Sequence, residues 1–187
     1  EDVEYVDGRV AVKGAGEMKS LSLGEVAQEA YWGHHIPEGD QPSLEATYVY
    51  DPANFTTASG THIAVVDVDV ETGQVEFVKY VVVDDCGTII NPMIVTGMVH
   101  GGVAQGIGQA LYEGLVIDCQ TGQVTSGSFM DYAVAKADNL CDFAVSFNEI
   151  PCQTNPLGVK GCGEAGTVGA HPAAMNAVID ALSRYGV

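Results

Sequence analysis

The sequence predicts an α+β fold built mainly on antiparallel sheets with interspersed helices. Three observations carry this. Strand-like runs crowd the first half of the chain. Short Gly-containing turns join several of them in the manner of hairpins. Helical runs come later and are interspersed rather than alternating regularly with strands.

Val3–Val6 and Arg9–Val12 flank Asp7-Gly8, a dipeptide suited to a tight hairpin turn. Ser22 stands where a helix to about Trp32 should begin, with Glu25 at capping-box spacing. The Tyr31-Trp32-Gly33-His34-His35-Ile36-Pro37 stretch ends it. Residues 45–50 read as a strand. Runs 61–70 and 74–84 read as two long strands joined through Glu71-Thr72-Gly73. Residues 91–113 read as a helix. Runs 115–118 and 123–126 bracket a second turn at Thr121-Gly122, and 144–147 reads as a short strand. The closing helix covers 165–185, with Pro172 as an alternative start. Two Thr-Gly-Gln-Val phrases read as recurrent turn chemistry, not as a sequence repeat. The expected organisation is a small hairpin–helix unit at 1–42 and a larger α+β domain at 43–187.

The 187-residue chain can bury a sizeable core, and its 47% hydrophobic and 17% charged residues describe a folded protein. Its formal charge is −18, from 25 acidic against 7 basic residues. Nucleic acid and anionic membrane surfaces would repel it. Five cysteines without a C-x-x-C pair suggest neither a disulfide framework nor a zinc site. Reduced thiols in a cytoplasmic protein are expected, and no stretch is apolar and long enough to cross a bilayer.

Chemistry concentrates in Gly158-Val159-Lys160-Gly161-Cys162-Gly163-Glu164-Ala165-Gly166. Glycine lets backbone approach a ligand closely, and the helix that follows offers free N–H groups at its start. Glu164 there suits a general base. The plainer alternative is a turn with Glu164 as a first-turn helix acid. Lys160 is either a ligand for phosphate, a support for the loop, or a surface lysine. Cys162 reads as a small packing residue or as a nucleophile. Glycines at 97, 101, 102, 106 and 108 lie in the 91–113 helix, where each costs up to about 1 kcal/mol against alanine. They signal close approach by a ligand or tight helix packing. His34, His35, His62, His100 and His171 are scattered and form no H-x-x-x-H pair, so no protein metal ligand is assigned. Tyr48, Tyr50 and Phe55 read as strand core or interface packing.

Upstream, Asp84-Asp85-Cys86-Gly87-Thr88-Ile89-Ile90-Asn91-Pro92-Met93 leads into Gly97-Met98-Val99-His100-Gly101-Gly102-Val103-Ala104-Gln105-Gly106-Ile107-Gly108-Gln109-Ala110. Together with Asn155-Pro156 and the Glu164 loop, this resembles the molybdenum-binding large subunit of the xanthine dehydrogenase/carbon monoxide dehydrogenase family, the molybdenum hydroxylases. The likeness spans about 43–185. The Asp84–Met93 stretch and Thr61-His62-Ile63-Ala64-Val65-Val66 are similar to the carbon monoxide dehydrogenase-like branch. Family subunits are several times longer. The resemblance therefore implies the C-terminal part of a molybdopterin-binding domain, truncated or separately encoded; the chain opens without an initiator methionine, on Glu1-Asp2-Val3.

The resemblance implies a molybdenum–molybdopterin cytosine dinucleotide held against Cys86, Gly87, Thr88, Ile89, Ile90, Asn91 and Pro92, and against Lys160, Gly161, Cys162 and Gly163. Backbone N–H groups and Asn91 are the expected donors. The metal would be held by the pterin dithiolene. Glu164 would be the base beside molybdenum, taking a proton from bound water or hydroxide as an aldehyde, N-heterocycle or related small molecule is hydroxylated, or carbon monoxide oxidised. Electrons would leave through 2Fe-2S clusters to FAD on partner subunits or domains, in an oligomeric complex with the remainder of the molybdenum subunit. Many relatives carry glutamine where this chain has Met98, which cannot donate a hydrogen bond. A non-catalytic cofactor-binding or assembly fragment, and a cysteine enzyme using Cys162, are the alternatives.

Overall fold

The computed structural model describes residues 2–15 and 19–186; Glu1, Gly16, Glu17, Met18 and Val187 lie outside the described residues. The chain forms two compact units, Glu1–Asp51 and Pro52–Val187, so the division falls beyond the expected 42/43 boundary.

The first unit is a three-stranded antiparallel sheet followed by a helix. β1 (Val3–Val6) pairs with β2 (Arg9–Val12), and β2 with β3 (Ser20–Ser22). Asp7 and Gly8 both take positive φ, 49° and 79°, as a type I′ hairpin turn requires. α1 spans Leu23–Trp32. Ser22 receives the Glu25 N–H at 3.3 Å, and the Glu25 carboxylate accepts from the Ser22 N–H at 2.7 Å, so the capping box forms as expected. Those same bonds hold the Glu25 carboxyl below its ordinary range. Gly33 closes the helix in the left-handed region.

The expected strand at 45–50 does not form. Alternating apolar residues make a strand only where another edge completes the ladder. Tyr48 and Phe55 are 84% and 95% exposed, which corrects their reading as core residues.

The second unit carries the chemistry. β4 (Ser59–Val68) and β5 (Val75–Asp85) form the long hairpin the sequence predicts, with a bulge between Val65 and Val66. β6 (Phe143–Phe147) joins β5 in parallel, from Tyr80↔Phe143 to Asp84↔Phe147. The fold is α+β, and the parallel edge makes this sheet mixed. α2 (Pro92–Leu111) and α3 (Ala165–Leu182) complete it. α3 begins at Ala165 and runs through Pro172, so the alternative start after the proline is not used. The expected strands at 115–118 and 123–126 reduce to one bridge, Ile117↔Val124.

The two Thr-Gly-Gln-Val phrases build the same turn. Asp69 and Asp118 carboxylates accept backbone N–H bonds, Gly73 and Gly122 take φ of 77° and 73°, and Thr72 and Thr121 hydroxyls accept from the following glutamine N–H at 3.3 Å.

The core joins Phe77, Tyr80 and Val82 of β5 to Val99, Val103 and Ile107 of α2 and Ala170 and Ala174 of α3. The glycines of α2 divide by role. A Cβ on Gly102 would stand 2.8 Å from the Thr167 nitrogen, and one on Gly106 2.6 Å from the Ala170 Cβ. These two, with Gly166 facing Val99, let α2 and α3 pack backbone to backbone. Gly97 and Gly101 have nothing within 4 Å.

Gly106→Val is expected to destabilise the fold by about 2 kcal/mol or more through overpacking. Gly97→Ala is expected to be neutral or stabilising by up to about 1 kcal/mol. Denaturant unfolding of the two variants side by side checks the contrast.

Candidate functional site

The end of β5 and the 158–166 loop are locked together before any ligand is considered. The carboxylate of Asp85 is the lock. Its Oδ1 accepts from the Gly87 N–H at 2.9 Å and the Ile150 N–H at 3.2 Å, and its Oδ2 accepts from Lys160 Nζ at 2.5 Å. The two side chains are 14% and 8% exposed for Lys160 and Asp85, so this is not a loose surface pair. The Lys160 ammonium first, and then the backbone donors, hold the Asp85 carboxyl below its ordinary value of 3.8. Of the roles open to Lys160, support of the loop is the one its geometry favours.

The backbone completes the lock. Gly87 bridges Val159, Thr88 N–H donates to the Gly158 carbonyl at 2.9 Å, and Lys160 N–H donates to the Cys86 carbonyl at 3.0 Å. Gly87 has φ of 66°, and a Cβ on it would stand 2.3 Å from the Gly158 oxygen, so only glycine fits. Asn155 braces the loop from below. Its amide donates to the Val159 carbonyl at 2.9 Å and accepts from the Val159 N–H at 3.1 Å. Glu149 accepts from the Ile89 N–H at 3.0 Å.

This arrangement sorts the predicted cofactor-binding residues. The N–H groups of Gly87, Thr88 and Ile89 donate within the chain, and Cys86 is 3% exposed, so these four form the backing of the segment. Ile90, Asn91 and Pro92 are exposed at the start of α2, where Asn91 Oδ1 also caps the helix through the Ile94 N–H at 3.3 Å. On the second segment, Gly161 and Gly163 are exposed and Cys162 is half-buried. Cys162 Sγ lies 3.9 Å from Met98 Sδ, and Met98 also reaches toward Gly163. Met98 therefore makes an apolar contact with the loop. Burial, and then the neighbouring Cys162, push the Cys86 thiol up to about 11.

Glu164 occupies the N-cap position of α3, but its side chain makes no cap hydrogen bond. Its carbonyl starts the helix instead, accepting from Thr167 and Val168 at 3.0 Å each. The exposed carboxylate lines a cleft of about 810 Å³. Gly161, Gly163, residues 55–60, His62, Asp84, Ala165, Val168 and Gly169 line the same space. The loop thus brings Glu164, Gly161 and Gly163 to one cavity, whose lining does not include Cys86 or Gly87.

His62 and Asp84 were not singled out from sequence. Their side chains are 3% and 1% exposed, with His62 Nε2 facing Asp84 Oδ1 at 3.6 Å. Tyr80 OH meets His62 Nδ1 at 3.0 Å. Burial pushes the imidazole down, while Asp84 and the Ala165 backbone work the other way. Burial raises the Asp84 carboxyl, and His62 opposes it. A signal was present: His62 falls on the same alternating face as Ala64 and Val66, which pack against the core. Asp85 and Glu149 gave no such signal, because Asp85 draws Ile150 and Lys160, and Glu149 draws Ile89, from far along the chain.

Among the described residues no cluster of three or more His, Cys, Asp or Glu comes together as a metal site, and no helix is long and apolar enough to cross a membrane. The donor set fits a cofactor that brings its own metal ligands: exposed glycine backbone, the exposed Glu164 carboxylate without a cap bond, and a helix start presenting Ile90, Asn91 and Pro92.

Comparison with known proteins agrees. Residues 1–141 match the family described as molybdopterin cofactor-binding domain. The chain belongs to this family, within the molybdenum-binding large subunits of the xanthine dehydrogenase/carbon monoxide dehydrogenase group. It is 41% identical over 187 residues to the nicotine 6-hydroxylase large subunit of Paenarthrobacter nicotinovorans, covering 100% of this chain and 23% of that protein. It is 36% identical over 186 residues to the carbon monoxide dehydrogenase large chain of Hydrogenophaga pseudoflava, again covering 100% and 23%. The quinoline 2-oxidoreductase structure from Pseudomonas putida 86 superposes with a TM-score of 0.90 at 38% identity, covering 100% of this chain and 24% of that one. The chain thus spans about a quarter of the length of the relatives it matches.

Lys160→Met is expected to destabilise the protein by about 3 kcal/mol at neutral pH, by leaving the Asp85 carboxylate without its cation. Asp85 has a depressed folded pKa, so its contribution is fully present above 3.8 and is lost as pH falls through the lower folded value. The difference between wild type and Lys160→Met should therefore shrink in acid. Urea unfolding at neutral pH and below the ordinary aspartate range measures it.

Proposed function

We propose that this chain is part of a molybdenum-dependent hydroxylase whose active-site base is Glu164. The observation that carries the reading is the uncapped, exposed Glu164 carboxylate sharing a cleft with the glycine backbone of Gly161 and Gly163.

The molybdenum–molybdopterin cofactor, in its cytosine dinucleotide form, supplies the two-electron oxidation when bound. Ile90, Asn91 and Pro92 would contact it from the start of α2, and Gly161, Cys162 and Gly163 from the loop. Cys86, Gly87, Thr88 and Ile89 would hold that surface from behind, and Lys160 would fix the loop through Asp85. Glu164 accepts the proton of the water that provides the product's oxygen. Its place at the opening of α3 keeps it rigid at the backbone and free at the side chain. An N-heterocycle or an aldehyde is the substrate class we favour, since relatives of this chain include a nicotine 6-hydroxylase and a quinoline 2-oxidoreductase. The remainder of the large subunit, with 2Fe-2S and FAD partners, completes the enzyme. A thiol mechanism is disfavoured: the neighbours of Cys162 are Met98 and the buried Cys86 thiol, neither of them a base.

In the complete molybdenum enzyme, Glu164→Gln is expected to lower kcat about 10²- to 10⁴-fold with molybdenum content unchanged. Full activity in a variant that retains its molybdenum would overturn the assignment. Turnover of quinoline or nicotine with an artificial electron acceptor, beside elemental analysis, supplies both numbers.

A further inference from the structure

The His62–Asp84 pair is the least expected feature of the cleft wall. Three of its polar atoms, His62 Nε2 and both Asp84 oxygens, are buried without a hydrogen-bond partner. Chains rarely leave a carboxylate in this condition, since a lone buried charge is costly. Yet the fold makes deliberate room for it. A Cβ on Gly60 would stand 1.9 Å from Asp84 Oδ1, and one on Gly169 would stand 2.4 Å from the His62 ring. Two glycines, one on β4 and one on α3, are thus shaped around these two side chains.

We infer that His62 and Asp84 are positioning residues for Glu164, a buried pair that holds one proton between them and packs against the opening turns of α3, where Gly169 meets the ring. The inference rests on the reading of Glu164 as the base. One shared proton brings the pair's net charge to zero, as an ion pair if it resides on the imidazole and as two neutral groups if it resides on the carboxyl, so no uncompensated charge is buried. Tyr80 fixes the ring from the other side at Nδ1, and burial keeps its phenol protonated well above the ordinary range. Nε2 thereby faces Asp84. The other titratable groups around the pair are few. Cys86 follows Asp84 on the chain, Cys141 lies beyond Tyr80, and Glu164 shares the cleft. Asp85 is turned to Lys160. α3 meets the ring at Gly169, which carries no side chain to titrate.

The test uses the complete molybdenum complex and three variants, Asp84→Asn, His62→Gln and His62→Ala. Histidine C2–H exchange followed by mass spectrometry reads a proton on His62, and the infrared carbonyl band of a protonated carboxyl, lost in Asp84→Asn, reads one on Asp84. One of the two signals is expected at neutral pH; absence of both overturns the shared proton. Backbone hydrogen exchange of the 158–166 segment is expected to rise about tenfold in His62→Ala and to be restored in His62→Gln, whose longer side chain refills the space against Gly169. Unchanged exchange in both overturns the positioning role. In His62→Ala, kcat should fall about tenfold to a hundredfold with KM and molybdenum content unchanged. An unchanged kcat overturns the link to the chemistry. These readouts separate the two readings: Glu164→Gln with full activity removes the base and leaves the proton and exchange results standing.

Discussion

A single carboxylate organises this molecule's functional end. Asp85 gathers three donors, from Gly87, Ile150 and Lys160, that are separated widely along the chain. The strand end, the connection after β6 and the loop before α3 meet at its two oxygens. Every residue proposed to face the cofactor lies on one side or the other of that meeting point. Charged donors make it strong, and partial burial shields it from salt. The loop can therefore be rich in glycine without being loose. Its flexibility is spent on close approach, while its position is set by bonds outside itself.

A second constraint comes from the helices. Gly102, Gly106 and Gly166 bring α2 and α3 together closely enough that backbone touches backbone. This fixes where α3 begins, and hence where Glu164 stands. The two constraints act on opposite ends of the same loop, Asp85 at Lys160 and the helix pair at Gly166. Between them lie Gly161, Gly163 and Glu164, the residues that face the cleft. Held ends and an open middle make a preorganised site.

Much of this was legible in the sequence, for identifiable reasons. The hairpins, the Ser22 cap and the two Thr-Gly turns depend on neighbours in sequence, so their chemistry could be read directly. Glu164 stood out because an acid in a glycine loop ahead of a helix is locally odd. The strand at 45–50 failed because pairing depends on an edge elsewhere, which no local pattern reports. Asp85 was quoted within a motif but given no role, since Ile150 and Lys160 come to it only in the fold. Lys160 showed the opposite difficulty: the family resemblance set it against the cofactor, whereas its nearest partner is an internal acid. His62 was passed over for lacking a second histidine, although its alternation placed it inward.

The parallel partner of β5 has a consequence for how the molecule comes into being. β4 and β5 meet through a short turn and can pair as soon as both exist. β6 cannot lie beside β5 until α2 and the long connection after it have been made, because Tyr80 pairs with Phe143. α3 comes later still, and it alone supplies Ala170 and Ala174 to the core. Closing such distant contacts carries a chain-entropy cost before their packing returns anything. On a ribosome the hairpin therefore waits, its buried face uncovered, for segments not yet synthesised. The loop that brings Glu164 to the cleft arrives well after the hairpin, so the cleft is complete only once α3 has joined the sheet.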